Sequence, residues 1–320
     1  MKRRLCTPIT RPGHNMTSAA PNVGQKSNDG FILVAVLWIL GGLAVLAAIY
    51  ALYVVNAAVS LDVNNDRIQA DASVSGALEL TAYYLGAVKP QDRPSSGTFN
   101  FRVGGSNVAV GFVTEAARID LNSAPKELLA GLFRVLGAPA QAADYDADRV
   151  VGWRTPAASL NLDADQGNDK ETTVYRNAGL PYDPRLAPFT NTQELWLVAG
   201  LPPVLVERAM RFVTVFSGMP SINVMDAAPE VIAALPGMTP DLLDAVLKQR
   251  TAQPNDATPV LQSLGLAQSN STAQPSNATR VMVQVSLPKG RRINAEAVIL
   301  LLQDAEELYR VLSWTDDFDG

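Results

Sequence analysis

Reactive side chains are scarce in this 320-residue chain: it has one cysteine, Cys6, and one histidine, His14, both within the first 30 residues. A product cut after residue 30 would carry neither a thiol nor an imidazole. This excludes Ser-His and Cys-His nucleophile pairs, histidine-bound zinc and CxxC redox sites from such a product. Carboxylate chemistry and metals bound through oxygen ligands remain open.

Charge is also scarce in one long stretch. Charged residues make up 18% of the chain, and none lies in the 31 residues from 31 to 61. The apolar part of this run, residues 31–55, would form a helix about 37 Å long, enough to cross a bilayer core of about 30 Å. Five basic residues precede the run: Lys2, Arg3, Arg4, Arg11 and Lys26. The positive-inside rule therefore predicts a cytoplasmic leader, with the rest of the chain across the membrane.

The polar leader ends at Gly30, and the apolar run begins at Phe31. This junction predicts cleavage of the prepilin type, which leaves the apolar segment as the new amino terminus. A secretory signal peptide is instead cut beyond its apolar stretch, at small residues. Here that position holds bulky or polar side chains: Tyr50, Tyr53 and Asn56. An uncleaved signal anchor and a start at Met16 instead of Met1 stay open as alternatives, and neither changes the topology.

Acidic residues prevail beyond the leader. The first 30 residues hold five of the 26 basic residues and one of the 31 acidic residues, which leaves 21 basic and 30 acidic residues, a net charge of −9. Such a surface repels nucleic acid and anionic lipid. We therefore expect no nucleic-acid partner.

The region beyond the apolar run predicts an α+β fold. Val74, Leu78 and Leu85 recur at helical spacing, with Thr81 between them, and extend the membrane helix into a spine. Six short strand patterns lie in two sets: 98–103, 108–114 and 117–121, then 281–286, 293–302 and 309–314. Each set is too small to make a sheet with a buried face. We expect the two sets to pair in one antiparallel, pilin-like sheet.

Between the two sets, residues 122–266 form a helical insertion with an internal repeat. Residues 119–132 align without a gap on 222–235. In each copy an extended piece meets a polar cap, Ser123 or Asp226, and a proline in the first helical turn opens an aliphatic helix. The predicted order is leader, transmembrane segment, helix with first strands, insertion, linker and closing strands: 1–30, 31–61, 62–121, 122–266, 267–278 and 279–320.

Several pieces of the sequence together resemble one family. They are Gly30-Phe31 with Val36-Leu37-Trp38, the two repeats, Glu194-Leu195-Trp196-Leu197-Val198, and the closing Tyr309-Arg310-Val311-Leu312-Ser313-Trp314. In the order and spacing of these pieces, the chain resembles the K-type minor pseudopilins of the bacterial type II secretion system (the general secretion pathway protein K family). The resemblance extends over essentially the whole length.

The resemblance implies a non-enzymatic assembly protein at the tip of a short periplasmic pseudopilus. It implies that the prepilin peptidase cuts after Gly30 and methylates Phe31, and that the chain crosses the inner membrane once, with its carboxyl-terminal domain in the periplasm. The implied partners are the I-type and J-type minor pseudopilins. With them the chain would form a tip complex that initiates or caps pseudopilus assembly, for export of folded proteins across the outer membrane.

One position tests this resemblance. Most pilin-type subunits carry Glu at the fifth position of the mature chain, and here that position is Ala35. A charge in a lipid-embedded helix costs about 2.5–3.5 kcal/mol unless a partner neutralises it. The missing carboxylate is therefore consistent with a capping subunit that has no neighbour above it, and equally with an ordinary membrane anchor.

The second repeat also resembles a helix-hairpin-helix, at residues 232–247, whose turn can offer backbone N–H groups to DNA phosphate. A membrane-anchored DNA-uptake receptor is therefore one alternative, and a minor pilin of a type IV pilus is another. Asp241 and Asp244 lie on the second helix of the hairpin, and only Lys248 and Arg250 close it. This charge pattern disfavours phosphate binding.

The acidic run 163–171 predicts a calcium site. Alternating carboxylates with a flexible glycine supply the oxygen ligands that Ca²⁺ prefers, and some members of the resembled family bind calcium in their helical region. The candidate ligands are Asp163, Asp165, Asp169 and Glu171. The alternative is a solvated loop.

A second group of carboxylates, Asp144, Asp146 and Asp148, resembles in sequence the paired acid and base of a hydrolase. Because no aromatic pocket or cofactor motif accompanies it, we expect no enzyme. The tryptophans of the head are expected in the core: Trp153, Trp196 and Trp314.

Overall fold

The computed structural model describes residues 29–156, 164–288, 290–302 and 307–316, with side chains except at 29–30, 58–63, 164–170 and 266–268. Backbone contacts divide the chain into two units, with the boundary between Val63 and Asn64. The predicted leader, up to residue 28, lies outside the described residues.

The first helix, α1, spans Asp29–Gly86. Seven further α-helices follow within the described residues: α2, Lys126–Val135; α3, Ala140–Arg154; α4, Ala164–Asn177; α5, Pro203–Ala209; α6, Pro229–Ala233; α7, Pro240–Ala252; and α8, Thr258–Ser263. Short 3₁₀ helices lie between them, at Pro90–Asp92, Glu115–Ala117, Thr192–Leu197 and Gly265–Asn270.

The described strands are β1, Ser96–Val103; β2, Ser106–Thr114; β3, Ile119–Asp120; β4, Val213–Thr214; β5, Ile222–Asn223; β6, Ser271–Thr272; β7, Ala278–Ser286; β8, Arg292–Leu301; and β9, Tyr309–Asp316. The five long strands form one sheet in the order β1-β2-β7-β8-β9. Every pair of neighbours in it is antiparallel. The predicted α+β class is confirmed, and so is the pairing of the two strand sets, because β2 pairs with β7.

In the first unit, the segment Phe31–Ala57 is long and apolar enough to cross a membrane, judged by length and composition, and it is the one such helix among the described residues. Its mean hydropathy is 2.8 and none of it is buried within the protein. Large side chains such as Phe31 and Trp38 are exposed. Exposed apolar surface of this extent is stable against lipid or neighbouring helices, not against water.

In the second unit, the end of α1 packs on one face of the long sheet. The predicted apolar positions Val74, Leu78 and Leu85 are buried, and the hydroxyl of Thr81 donates to the carbonyl of Ala77 at 2.7 Å. The sheet contributes alternate residues of its strands to the core that it shares with α1, as expected for a sheet with one covered face. On two neighbouring strands these are Val108, Val110 and Phe112 of β2 and Val281, Val283 and Val285 of β7.

The connection between β1 and β2 is a two-residue hairpin turn. Val103 pairs with Ser106, so Gly104 and Gly105 are its central residues. Both have positive φ, +56° and +84°, which is the backbone of a type I′ turn. Glycine adopts this conformation without steric cost, and the turn therefore fixes the register of β1 on β2.

The helical insertion has a core of its own. Its strands form two short parallel pairs, β3 with β4 and β5 with β6. The largest fully buried side chains within it include Phe133, Leu128, Leu132, Tyr175, Leu195 and Ile232.

Three details differ from the sequence-based expectation. The strand predicted at 117–121 is only two residues long and pairs with β4 instead of the long sheet, because a 3₁₀ turn at Glu115–Ala117 redirects the chain. The segment predicted as a linker, 267–278, contains β6 and the buried Ser276. Trp153 is buried, but Trp196 and Trp314 are 45% and 38% exposed, so their prediction as core residues was wrong.

Candidate functional site: the membrane span and the helical insertion

The two ends of the insertion are tied together. The backbone N–H of Ser276 donates to the hydroxyl of Thr114 at 2.9 Å, and the two hydroxyls lie 3.1 Å apart. Thr114 ends β2 and Ser276 precedes β7, and these strands are neighbours in the sheet. The insertion therefore leaves and rejoins the sheet at one place.

Glu115 connects the sheet to the insertion. Its side chain is 1% exposed, and Arg280 of β7 donates from Nε to Oε1 at 2.7 Å. The hydroxyl of Thr214, on β4 of the insertion, donates to Oε2. Arg280 also bonds Glu296 on β8. Burial acts to lower the pKa of Arg280, but the two carboxylates outweigh it and raise that pKa above its ordinary value.

In each repeat of the insertion, one arginine donates hydrogen bonds to two backbone carbonyls of the turn before the first helix. Arg154, the last residue of α3, donates to the carbonyls of Leu121 and Ala124, the latter at 2.6 Å. Arg250, near the end of α7, donates to the carbonyls of Val224 and Ala227, at 3.3 and 2.7 Å. Val224 and Ala227 are the counterparts of Leu121 and Ala124 in the gapless alignment. The two arginines are therefore equivalent.

The turns that these arginines hold also share a cap. One carboxylate oxygen of Asp120 accepts from the N–H groups of Asn122 and Ser123, at 2.8 and 3.0 Å. Its counterpart Asn223 accepts from the N–H of Met225 at 2.9 Å. Each repeat is thus a short strand, a side-chain-capped turn, two helices and a closing arginine.

Sequence reasoning missed the closing arginines. Arg154 follows Leu121 by 33 residues, whereas Arg250 follows Val224 by 26. A gapless comparison therefore loses register after the first helix of each copy. A signal was present, since each second helix carries an arginine in its last turn. Each of these helices also follows a turn that contains a glycine at positive φ, Gly137 or Gly237.

The predicted processing junction, Gly30–Phe31, lies in the first turn of α1. Phe31 is exposed, and Ala35 lies about one turn further along the same helix. The described residues place no carboxylate in Phe31–Ala57. Cleavage after Gly30 and methylation of Phe31 stay predictions.

The predicted calcium ligands are described to different extents. Asp163 lies outside the described residues, and the backbone of Asp165 and Asp169 belongs to α4, so this part of the run is a helix instead of a loop. The carboxylate of Glu171 pairs with Arg149 at 2.9 Å. The role of Glu171 in a calcium site with the other three stays a prediction.

Among the described residues, no group of three or more His, Cys, Asp or Glu side chains could hold a metal ion. The other three candidates, Asp163, Asp165 and Asp169, are not tested by this observation, since their side chains are not described. Calcium binding stays a prediction at these positions.

The three aspartates of α3 have different environments. Asp148 lies 2.7 Å from Lys126, and Asp144 lies 4.0 Å from Arg134; both are exposed. Asp146 faces the opposite side and is buried, which raises its pKa. The structure therefore does not bring them together as an acid and base.

The hairpin before α7 uses its polar groups internally. The hydroxyl of Thr239 accepts from the N–H of Leu242 at the start of the helix. Lys248 pairs with Asp244 at 2.5 Å, and Arg250 holds the repeat as described above. Asp241 lies in the first turn of α7. These contacts do not favour phosphate binding, and the expected lack of a nucleic-acid partner stays a prediction.

Part of the insertion matches a known protein family in sequence. The family model described as "Type II secretion system (T2SS), protein K" matches residues 110–218. The match runs from β2 through the first repeat to the residues just after β4. The predicted resemblance to the K-type family is confirmed in this region.

Solved structures show a similar fold. A chain of the crystal structure of the GspK-GspI-GspJ complex from the type 2 secretion system of enterotoxigenic Escherichia coli matches with a TM-score of 0.53 and 16% identity. The match covers 78% of this chain and 94% of that chain. No curated protein matches in sequence. At this identity the structural match establishes the fold, and the K-type comparison rests on residues 110–218.

Proposed function

We propose that the chain is a minor pseudopilin of the K type, anchored in the inner membrane by one helix, with residues beyond the span in the periplasm. The observation that carries this proposal is the insertion. Residues 110–218, which include the first part of the insertion, match protein K of type II secretion. The whole insertion leaves an antiparallel sheet at β2 and rejoins it at the neighbouring β7. A pilin-like sheet with an insertion of this kind is what the K type requires.

The position at the tip follows from the size of the insertion. It occupies the chain from Glu115 to Asn277, between two neighbouring strands of the sheet. A subunit in a filament shaft has neighbours above and below it, and an insertion larger than the sheet would obstruct them. Ala35 agrees with a place at the tip, because a subunit without a neighbour above it has no use for a buried carboxylate there, but it agrees equally with an ordinary membrane anchor.

The proposed partners are the I-type and J-type minor pseudopilins. The support is the structural match to a chain from a complex of GspK, GspI and GspJ. No group on the described surface indicates catalysis, and we propose an assembly role that initiates or caps the pseudopilus. The prepilin peptidase would act on the chain before assembly.

The first test is the mature amino terminus. Expression of the full chain with a prepilin peptidase should give a product that begins at methylated Phe31 by mass spectrometry, and expression without the peptidase should leave the leader intact. Gly30→Leu should block cleavage, whereas the matched leader variant Gly24→Leu should not. An intact leader in the presence of the peptidase, or cleavage beyond residue 61, would overturn the pseudopilin assignment.

The second test separates the rival functions. The full chain in detergent should co-purify with the I-type and J-type subunits of its own organism, and its deletion should abolish exoprotein secretion. Loss of pili with intact secretion would indicate a type IV minor pilin instead. Duplex DNA binding that weakens steeply with salt would indicate a DNA-uptake receptor.

Calcium binding is tested separately. Titration of the full chain with Ca²⁺ should show a saturable site that Asp165→Asn or Asp169→Asn weakens. Glu171→Gln tests the fourth candidate ligand, whose carboxylate pairs with Arg149, and Asp148→Asn, an exposed carboxylate outside the run, should leave calcium affinity unchanged. A flat titration would remove calcium from the proposal without affecting the pseudopilin assignment.

A further inference from the structure

A pocket of about 220 Å³ lies between the turn before α3 and the start of α5. Its walls are mostly apolar and include Leu136, Val204 and Leu205. Two lining residues carry charge, Asp146 and Arg208. None of the functions discussed so far uses this pocket.

Asp146 is the one buried charged residue that lines the pocket. Asp146 is 3% exposed, and its Oδ2 has no hydrogen-bond partner among the described residues. On the same helix, Ala143, Ala147 and Val150 are fully buried. A buried carboxylate oxygen without a hydrogen-bond partner is costly, because burial removes the hydration of that atom and nothing replaces it.

The neighbouring cations do not supply the missing partner. Arg208 donates to the carbonyl of Leu136 at 3.0 Å and is exposed at the rim. The flanking carboxylates of α3 have Lys126 and Arg134 as partners. Of the three aspartates on this helix, Asp146 is therefore the one without an ion pair in the described structure.

The size of the pocket limits its occupant. Sites for small organic ligands usually measure about 300–1,000 Å³, so this pocket fits a single side chain better than a cofactor. Roughly seven waters would fill it, at about 30 Å³ each. Each water needs two to four polar partners, and the apolar walls offer few.

We propose that this pocket receives a lysine side chain of a partner protein, with the ammonium group on the carboxylate of Asp146. The four-carbon stem of lysine matches the apolar walls. The compact ammonium supplies the positive charge that Asp146 lacks. The turn before α3 and the start of α5 then belong to a docking surface for a partner protein that presents a lysine.

The test uses n-butylammonium as a probe for the lysine side chain. The full chain is prepared in non-ionic micelles with labelled Leu and Val methyl groups, and the probe is titrated by NMR. We expect saturable shifts confined to the methyls of Leu136, Val204 and Leu205, with a dissociation constant in the millimolar range. We also expect the probe to lower the pKa of Asp146, followed through its carboxyl carbon.

Two controls isolate the charge. n-Butanol, which has the same stem and no charge, should bind at least tenfold more weakly. Asp146→Asn should weaken n-butylammonium binding at least tenfold, whereas Asp148→Asn, which removes an exposed carboxylate from the same helix, should not change it. Equal binding of the two probes, or equal binding to wild type and Asp146→Asn, would overturn the proposal.

A second variant tests the proposal without changing the buried Asp146. Val204 is 58% exposed at the pocket mouth, so Val204→Trp should block entry without disturbing the core. The saturable shift at Leu136 should then disappear while the remaining methyl spectrum stays the same. A full-strength shift in Val204→Trp would show that the probe binds elsewhere, and the proposal would fail.

Discussion

Gly131 of α2 packs directly on the carbonyl of Ala234, its counterpart in the second repeat. A Cβ at position 131 would lie 1.9 Å from the Ala234 oxygen. When two copies use the same surface and are related by a two-fold axis (an isologous contact), equivalent positions meet at its centre in this way. The duplication is therefore a property of the packing as well as of the sequence, and the two repeats support each other across a contact that excludes any side chain.

Gly131→Ala should accordingly be strongly destabilising. The added methyl meets the backbone of Ala234, and overpacking of this kind costs about 3 kcal/mol when the neighbour cannot move. Gly76→Ala is the matched control, because it also lies in a helix and its Cβ would meet nothing within 4 Å. That change should stabilise by about 0.4–1 kcal/mol. Thermal unfolding of both variants in non-ionic detergent compares them, and equal midpoints would contradict the contact.

Loss of either closing arginine should loosen its own repeat. Arg154→Met or Arg250→Met leaves two turn carbonyls without a charged donor, and each such hydrogen bond contributes about 1.5–3 kcal/mol. Hydrogen exchange should speed up in α2 for the first variant and in α6 for the second. Arg211→Met, at an exposed position, should stay within about 0.5 kcal/mol of wild type. Uniform loss of protection across the insertion in both variants would contradict separate roles.

The parts of the fold that could be predicted are those with a local period. Val74, Leu78 and Leu85 follow the helical repeat, and all three are buried. The strand patterns follow a period of two, and their pairing across the insertion was predictable because neither set could bury a face alone. The glycine pair at 104–105 marked its turn for the same local reason.

The parts that could not be predicted depend on distant residues. Asp144, Asp146 and Asp148 look alike in sequence, and only the packing of α3 into the core of the insertion determines that Asp146 is the buried one. Trp196 and Trp314 are large and apolar, yet they are exposed. The exposure of each tryptophan depends on which distant parts of the chain pack against its helix or strand, and the local sequence pattern does not contain that information.

The link between sheet and insertion should depend on Glu115 far more than on Glu296. Glu115→Gln leaves Arg280 without its buried partner, and breaking a buried pair costs about 3–5 kcal/mol. Glu296→Gln removes the partner that is 44% exposed, and exposed pairs contribute about 0–1 kcal/mol. Thermal unfolding and limited proteolysis at the ends of the insertion measure the difference. Equal effects of the two variants would show that Glu115 does not join the two parts.

Asp146 should make stability depend on pH in a defined direction. Burial raises its pKa above the ordinary value of 3.8, so the folded state holds the proton more tightly than the unfolded state does. This contribution is fully present below pH 3.8, and it is lost as pH rises through the folded pKa. Asp146→Asn stays neutral throughout and should therefore be more stable than wild type at pH 7.

This advantage of Asp146→Asn should shrink as the pH falls and reach its minimum below pH 3.8, where Asp146 is protonated in both states. The difference between the two unfolding midpoints, measured across this range in one detergent, cancels the titration of all other groups. Asp148→Asn, which breaks an exposed pair with Lys126, should change the midpoint at pH 7 only slightly. A lower midpoint for Asp146→Asn at pH 7 would mean that the buried carboxylate is already compensated, and the pocket would then need no cation from outside.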